Sequence, residues 1–384
     1  MYMFLDLEKL QTTFNDLSQI RLPYQSERRY LRFPESFNDA GLLYYKGNFT
    51  GFLTDFVAYG TLTSRMGTLT TDLSVVPDSA GNINYRGQIA TKNFKLGELF
   101  QNKNYRQITF AGSADGYLNR KTAAVYGEFK GEIDEIDIHR YSYKNIHLDG
   151  TLDNKRFDGI LNIDDPNLKF DFTGQVNLNP EIPVFDFYLD LHHALPGKLN
   201  LSKNFPASKL SFFMEAKFAG NKPENLEGSI NVKNGLYTNR NGQLNLNGLE
   251  IRSILNDAEN KLTFTSDFVN IELEGEYQFR SLIRAFKKTL NKYLPAVPLK
   301  KFTQEGSNRF RYLIEANNLD SLTAVFAPGY QIHTPFLLYG QLDEEKSIFE
   351  LKGSIPGFNT KNLMIRDIFI NNAPGEDMYS SKFR

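Results

Sequence analysis

The chain has 384 residues, with 44 basic and 45 acidic side chains and a formal charge of -1, which suits two or three ordinary domains or one extended repeat array. That balance argues against nucleic acid as a partner, because such affinity rests on clustered Lys and Arg neutralising phosphates. Cys 0 removes disulfides, thiolate metal sites and a cysteine nucleophile, and Phe 32 with Tyr 20 against Trp 0 is a strand-rich usage.

Leu7, Leu10, Phe14 and Leu17 recur at three- and four-residue steps, which predicts a short amphipathic helix ending before Pro23 within a lead-in at 1–40. The opening MYMFLDLEKL carries acid where a signal peptide carries a basic segment. No run reaches the roughly 20 apolar residues of a membrane-spanning helix. From about Gly41 the period becomes two, and glycines punctuate the strands, with strand and turn following one another every roughly 8 to 15 residues through to 280. No helix-length pattern intervenes, so a βαβ arrangement is excluded and a repetitive antiparallel strand array is expected at 41–280.

The clearest alternation lies in LKFDFTGQVNL and VFDFYLDLHHALPGKLNL. Phe170, Phe172, Phe185, Phe187, Leu189 and Leu191 share one parity, and Lys169, Asp171, Asp186 and Asp190 share the other. Parity extends the apolar row to Leu168, Ile230, Val232, Leu244, Leu246, Leu262, Phe264, Ile271 and Leu273. These fifteen positions are the candidate lining of an apolar groove. SLIRAFKKTLNKYLP then predicts an amphipathic helix at 281–300, stopped by Pro295 and Pro298. It suits either packing on a sheet edge or lying at a lipid surface. A second strand array is expected at 301–373 and a polar tail at 374–384.

Catalytic signatures for nucleotide, P-loop, serine-hydrolase and zinc-protease chemistry are absent, and no enzyme activity, cofactor or metal is expected. His192 and His193, adjacent on a strand, point to opposite faces and read as a strand end. Asp164, Asp165, Pro166 and Asn167 read as a turn, with a carboxylate-pair glycosidase site the alternative. In EIDEIDIH, Glu135, Asp137 and His139 read as a solvated outer face.

About two dozen strands spaced roughly 4.8 Å apart would make a sheet on the order of 110 Å long. Open twisted sheets rarely exceed about ten strands without curling, and the glycines supply places to bend. The apolar parity would then line a concave side, either closed as a core or open as a channel needing an occupant. Acyl chains suit such a channel, since each buried methylene gains about 0.8 kcal/mol with no specific partner.

GEFKGEIDEIDIHRYSYKNIHLDGTLDNKRFDGILNIDDPNLKFDFTGQVNLN, GSINVKNGLYTNRNGQLNLNGLEIRS and the helix ending in YLP resemble the TamB family of Bacteroidetes type, relatives of AsmA. The resemblance implies an all-β chain with two short helices, its long curved antiparallel sheet forming a β-taco with an apolar concave groove. It also implies a cell-envelope protein anchored at the inner membrane, acting in outer-membrane biogenesis. Its expected partners are phospholipid acyl chains, an outer-membrane barrel protein and the membrane, through an anchor this section of the chain does not carry. The leading expectation is a non-enzymatic lipid conduit. The alternatives are a scaffold that templates barrel strands by β-augmentation and a solenoid enzyme acting on polysaccharide.

Overall fold

The computed structural model describes residues 2–382 except 22–29, 31–32, 34, 53–54, 203–205, 256–259, 279–307, 347 and 372–379. The helix expected at 281–300 lies outside the described residues. Strand makes up 69% of the structure and helix 8%, so the fold is all-β, as its alternating sequence requires. The chain divides into two compact units, 1–179 with 198–202, and 180–197 with 203–384. The division falls inside the stretch that reads as one array in sequence.

The first unit is a meander. Strands β1 (Met3–Thr13), β2 (Leu42–Phe52), β3 (Asp55–Ser64), β4 (Gly67–Pro77) and β5 (Ile83–Phe94) are followed by β6 (Tyr105–Leu118), β7 (Val125–Ile138), β8 (Tyr141–Asp153), β9 (Arg156–Asp165) and β10 (Leu168–Asn177). Each pairs antiparallel with the next. Directly opposed residues share a face. One row therefore runs Leu10, Tyr45, Leu62, Leu69, Thr91, Phe110, Ile133, Ile146, Ile163, Phe170 across all ten strands. Among the described residues β1 pairs only with β2, and the sheet does not close into a barrel.

The expected helix at Leu7–Leu17 is corrected. Residues 3–13 are strand, and only Phe14–Ser18 is helical, started by a capping box between Thr13 and Asp16. The three-residue step from Leu7 to Leu10 comes from a β-bulge: Leu7 opposes Gly47, whereas Leu10 opposes Tyr45. The extra residue resets the parity, so two apolar residues three apart both turn inward and imitate a helical period. Phe14 and Leu17 then pack against buried Ala40, Leu43 and Met66.

The second unit contains β11 (Val184–Ala194), β12 (Lys209–Ala219), β13 (Glu227–Asn239), β14 (Gly242–Ile254), β15 (Lys261–Ser266), β16 (Val269–Glu276) and β17 (Arg309–Ala316). Beyond them lie β18 (Tyr330–Ile332), β19 (Phe336–Asp343), β20 (Ile348–Thr360), β21 (Met364–Asn371) and β22 (Ser380–Lys382). Strands β11 to β17 pair in order, β19 joins β17, and β20 follows, with β18 taking the far end of the β20 edge. β21 and β22 complete the order, so part of the expected polar tail is strand. A short helix, Asp320–Phe326, leads from β17 to β18.

Two devices bend these sheets. Glycines oppose one another on the apolar face, as in Gly116 opposite Gly127 and Gly150 opposite Gly159. A Cβ on Gly116 would strike the Tyr126 carbonyl oxygen and come within 2.6 Å of Gly127 Cα. Neighbouring backbones that converge on one face make that face the inside of the bend. Asparagine supplies the second device: Asn93 (φ 51), Asn145 (φ 51) and Asn234 (φ 54) sit left-handed inside strands, a conformation Asn tolerates. Around them the inward residues fall three apart, as at Thr91 and Phe94 or Tyr143 and Ile146.

The glycine argument separates two substitutions in adjacent strands. Gly116→Ala should destabilise the first unit by roughly 1–3 kcal/mol through forced overpacking. Gly131→Ala, whose Cβ would sit 3.4 Å from the Ala111 oxygen, should change stability far less. Urea midpoints of the two variants check this, and equal losses would contradict it.

Candidate functional site

In the second unit the central row of the apolar face runs Phe187, Ala216, Ile230, Ile251, Phe264, Ile271, Ile314 and Leu338, one residue from each of eight paired strands. Seven interstrand steps of about 4.8 Å carry it roughly 34 Å. A parallel row contains Phe185, Phe218, Leu262, Leu273 and Tyr312, with the Phe185 and Phe218 rings stacked at 4.7 Å. The opposite face carries the charges, with Tyr188, Leu337 and Tyr339 exposed among them. Asp186 opposes Lys217 and bridges it at 3.2 Å, while Lys261 reaches Glu272 and Glu274, each at 3.0 Å.

Burial along the apolar face is uneven. At one margin Leu273, Tyr277, Phe310, Leu342 and Phe349 form a sealed cluster. At the other, Leu244 and Phe268 lie beneath Val325 of the helix Asp320–Phe326. That helix is fastened by Asn239 and Asn241, whose side-chain amides donate to the Val325 carbonyl at 3.1 and 2.9 Å. Between the margins Phe187, Ile230, Ile251, Phe264 and Ile271 are only half-buried. The middle of the face is thus not a packed core.

Over this middle stands the loop from Gly220 to Leu226. It borders a cavity of about 680 Å³, open on one side, against Phe185, Phe218, Ile251, Leu262, Phe264, Ile271 and Leu273, with an almost wholly apolar lining. The loop holds itself in shape: the Asn225 side-chain oxygen accepts from the backbone N–H of Asn221 (3.0 Å) and Lys222 (2.8 Å), and the Gly220 N–H donates to the Pro183 carbonyl at 2.9 Å.

The sequence-predicted lining falls into three groups. Phe185, Leu262, Phe264, Ile271 and Leu273 line the cavity. Phe187, Leu189, Leu191, Ile230 and Val232 continue the same face on β11 and β13, and Leu244 and Leu246 pack with the Asp320–Phe326 helix. Leu168, Phe170 and Phe172 belong to the first unit, where Phe170 opposes buried Ile163. Phe218, Leu226 and Ile251 complete the cavity and were not singled out from sequence. Phe218 and Ile251 follow the same alternation, so carrying the parity through every strand would have found them. Leu226 lies in a loop, which periodicity does not reach.

The polar candidates are structural. Asp165 is 2% exposed and accepts from the backbone N–H of Asn167 (2.8 Å) and Lys144 (3.1 Å), and from the Tyr141 hydroxyl. The turn expected at Asp164–Asn167 is therefore also a clamp between hairpins. Asp137 corrects the solvation expected for EIDEIDIH: it is 5% exposed and accepts from the hydroxyl of Ser142, its partner in register. His192 lies on the exposed side beside Asp190, at 3.9 Å. Among the described residues no group of three or more His, Asp or Glu gathers to hold a metal, and no helix is long and apolar enough to cross a membrane.

Comparison with protein-family models, curated proteins and solved structures returns no match for this chain.

The clamp has a measurable pH signature. Burial, then the hydrogen bond to Asp165, pushes the Tyr141 hydroxyl from 10.0 up to about 12. A group raised on folding contributes stability that is complete below its unfolded pKa and lost as pH climbs through the folded one. Stability should therefore fall between about pH 10 and 12, and Tyr141→Phe should make that slope shallower in alkaline urea titrations. An unchanged slope would contradict the assignment.

Proposed function

We propose that the chain is a non-enzymatic lipid conduit, its apolar face holding acyl chains during transfer between membranes. The observation that carries this is the half-buried middle of the apolar face lying between two sealed margins. A continuous apolar surface of this kind needs an occupant, since exposed patches beyond a few hundred Å² are rare on monomers without a function. Acyl chains fit because the hydrophobic effect asks for area and no particular motif, at about 0.8 kcal/mol per buried methylene. The likeness in texture to the TamB family supports a place in the cell envelope, phospholipid as cargo and an outer-membrane barrel protein as partner.

The scaffold alternative would use the edge of β1 that has no strand on it among the described residues. That edge is interrupted by the bulge between Leu7 and Leu10 and carries Asp6, Glu8 and Lys9, features that discourage strand addition. The open apolar face favours the lipid reading.

Phe187→Asp should weaken binding of a fluorescent acyl probe at least ~10-fold while far-UV circular dichroism keeps its strand signal, because Phe187 is half-buried. Leu342→Asp, placed in the sealed cluster and away from the cavity, should unfold the second unit instead. Unfolding by Phe187→Asp would mean the face is a closed core, and wild-type protein that binds no probe would remove the proposal.

A further inference from the structure

The outward face of the first unit is charged along most of its length and aromatic at one corner. In β1 and β3 both parities are apolar there, with Phe4 beside Leu5, and Val57 and Tyr59 beside Phe56 and Ala58. Register sets two outward rows next to each other: Phe4, Thr50, Val57, Ser74 in one, and Asp6, Asn48, Tyr59, Asp72 in the other. A third begins at the strand ends, where Phe52 opposes Asp55 and meets the Tyr2 ring edge-on at 5.6 Å. Phe4 is 69% exposed, Tyr59 61% and Tyr2 60%. We infer that this corner docks a partner protein whose contact surface is apolar at its centre and carries Lys or Arg at its rim. It lies on the face away from the groove, so a docking role there stands whether or not the conduit reading does.

Three rows at roughly 6.8 Å across four strands at roughly 4.8 Å cover about 400 Å². Exposed patches of that size on a monomer are often functional, and it is about half of what one partner gives to a standard interface. Tyr and Phe are the side chains that interface centres favour. Charge selects the partner. The charges within these rows are Asp6, Asp55 and Asp72, and among the described residues none of the three has a cation within ion-pair distance; Asp6 has only the neutral Asn48 amide, at 2.7 Å. Farther along the same face several acids have bases, as Asp115 has Arg86 at 2.7 Å, Asp149 has Lys130 at 2.9 Å and Glu132 has His147 at 2.6 Å. The bases nearest the corner are Arg86, already held by Asp115, and Lys46, one row beyond Tyr59. Unpaired acids around an aromatic centre are complemented by a basic rim. An anionic bilayer surface asks for the opposite sign, and two copies docked through the same patch would set these acids against one another.

A photoreactive benzoylphenylalanine at Tyr59 of the full chain, irradiated in the cells that make it, reads the neighbour by mass spectrometry. The expected product is a protein adduct joined at a segment bearing Lys or Arg, with none from the same group at Thr173 on β10. Asp55→Lys together with Asp72→Lys should cut the adduct about tenfold while far-UV circular dichroism is unchanged, and replacing the partner's bases at the join by Glu should restore it. An adduct with lipid, an adduct with a second copy of the chain, a protein adduct whose yield ignores the charge reversal, or no adduct would each overturn the inference and leave the conduit reading in place.

Discussion

An apolar sheet face with no second layer across it among the described residues is the constraint on which the rest of this structure depends. A sheet that is hydrophobic on one side must bury that side against another layer or against itself. Among the described residues the units hold ten and twelve strands and only short helices, such as Phe14–Ser18, Leu96–Leu99 and Asp320–Phe326. No helical layer among the described residues covers either face. Burial has to come from bending.

Bending is written into backbone-level features. Opposed glycines such as Gly116 and Gly127 remove the Cβ atoms that would hold neighbouring strands apart on the inner side, and left-handed asparagines let a strand turn over without losing its partners. The outer face keeps its alternating charges, whose exposed pairs contribute little energy each but keep that side wetted. Where bending does not suffice, accessory pieces are used: the Val325 helix seals one margin of the second unit and the Gly220–Leu226 loop roofs the middle. What remains partly exposed is the surface available to a ligand.

Much of this was legible in the sequence. Alternation at Phe170–Phe172 and Phe185–Leu191 placed strands and faces correctly, because a two-residue period has one physical cause in a half-buried sheet. It failed where parity slips. Leu7 and Leu10 read as helix because a bulge and a helical turn both bring residues three apart to one side. At Asn93, Asn145 and Asn234 an asparagine within the strand marks the slip, whereas between Leu7 and Leu10 only Glu8 and Lys9 stand at it. The Asp164–Asn167 turn was readable from its composition, whereas the burial of Asp165 under Tyr141 depends on a contact 24 residues away, which no local pattern encodes. The roofing loop was equally hidden, since NKPENL reads only as a turn and its position over Phe264 and Ile271 is a matter of tertiary geometry.

The central claim is that one face of the sheet meets acyl chains and the other does not. With Cys 0 in the chain, single cysteines report without background. An environment-sensitive fluorophore at Leu189→Cys, on the apolar face, should shift to the blue when phospholipid is supplied and be quenched by brominated acyl chains. The same fluorophore at Asp190→Cys, on the polar face, should do neither. Equal responses at the two adjacent positions, or none at Leu189→Cys, would contradict the account.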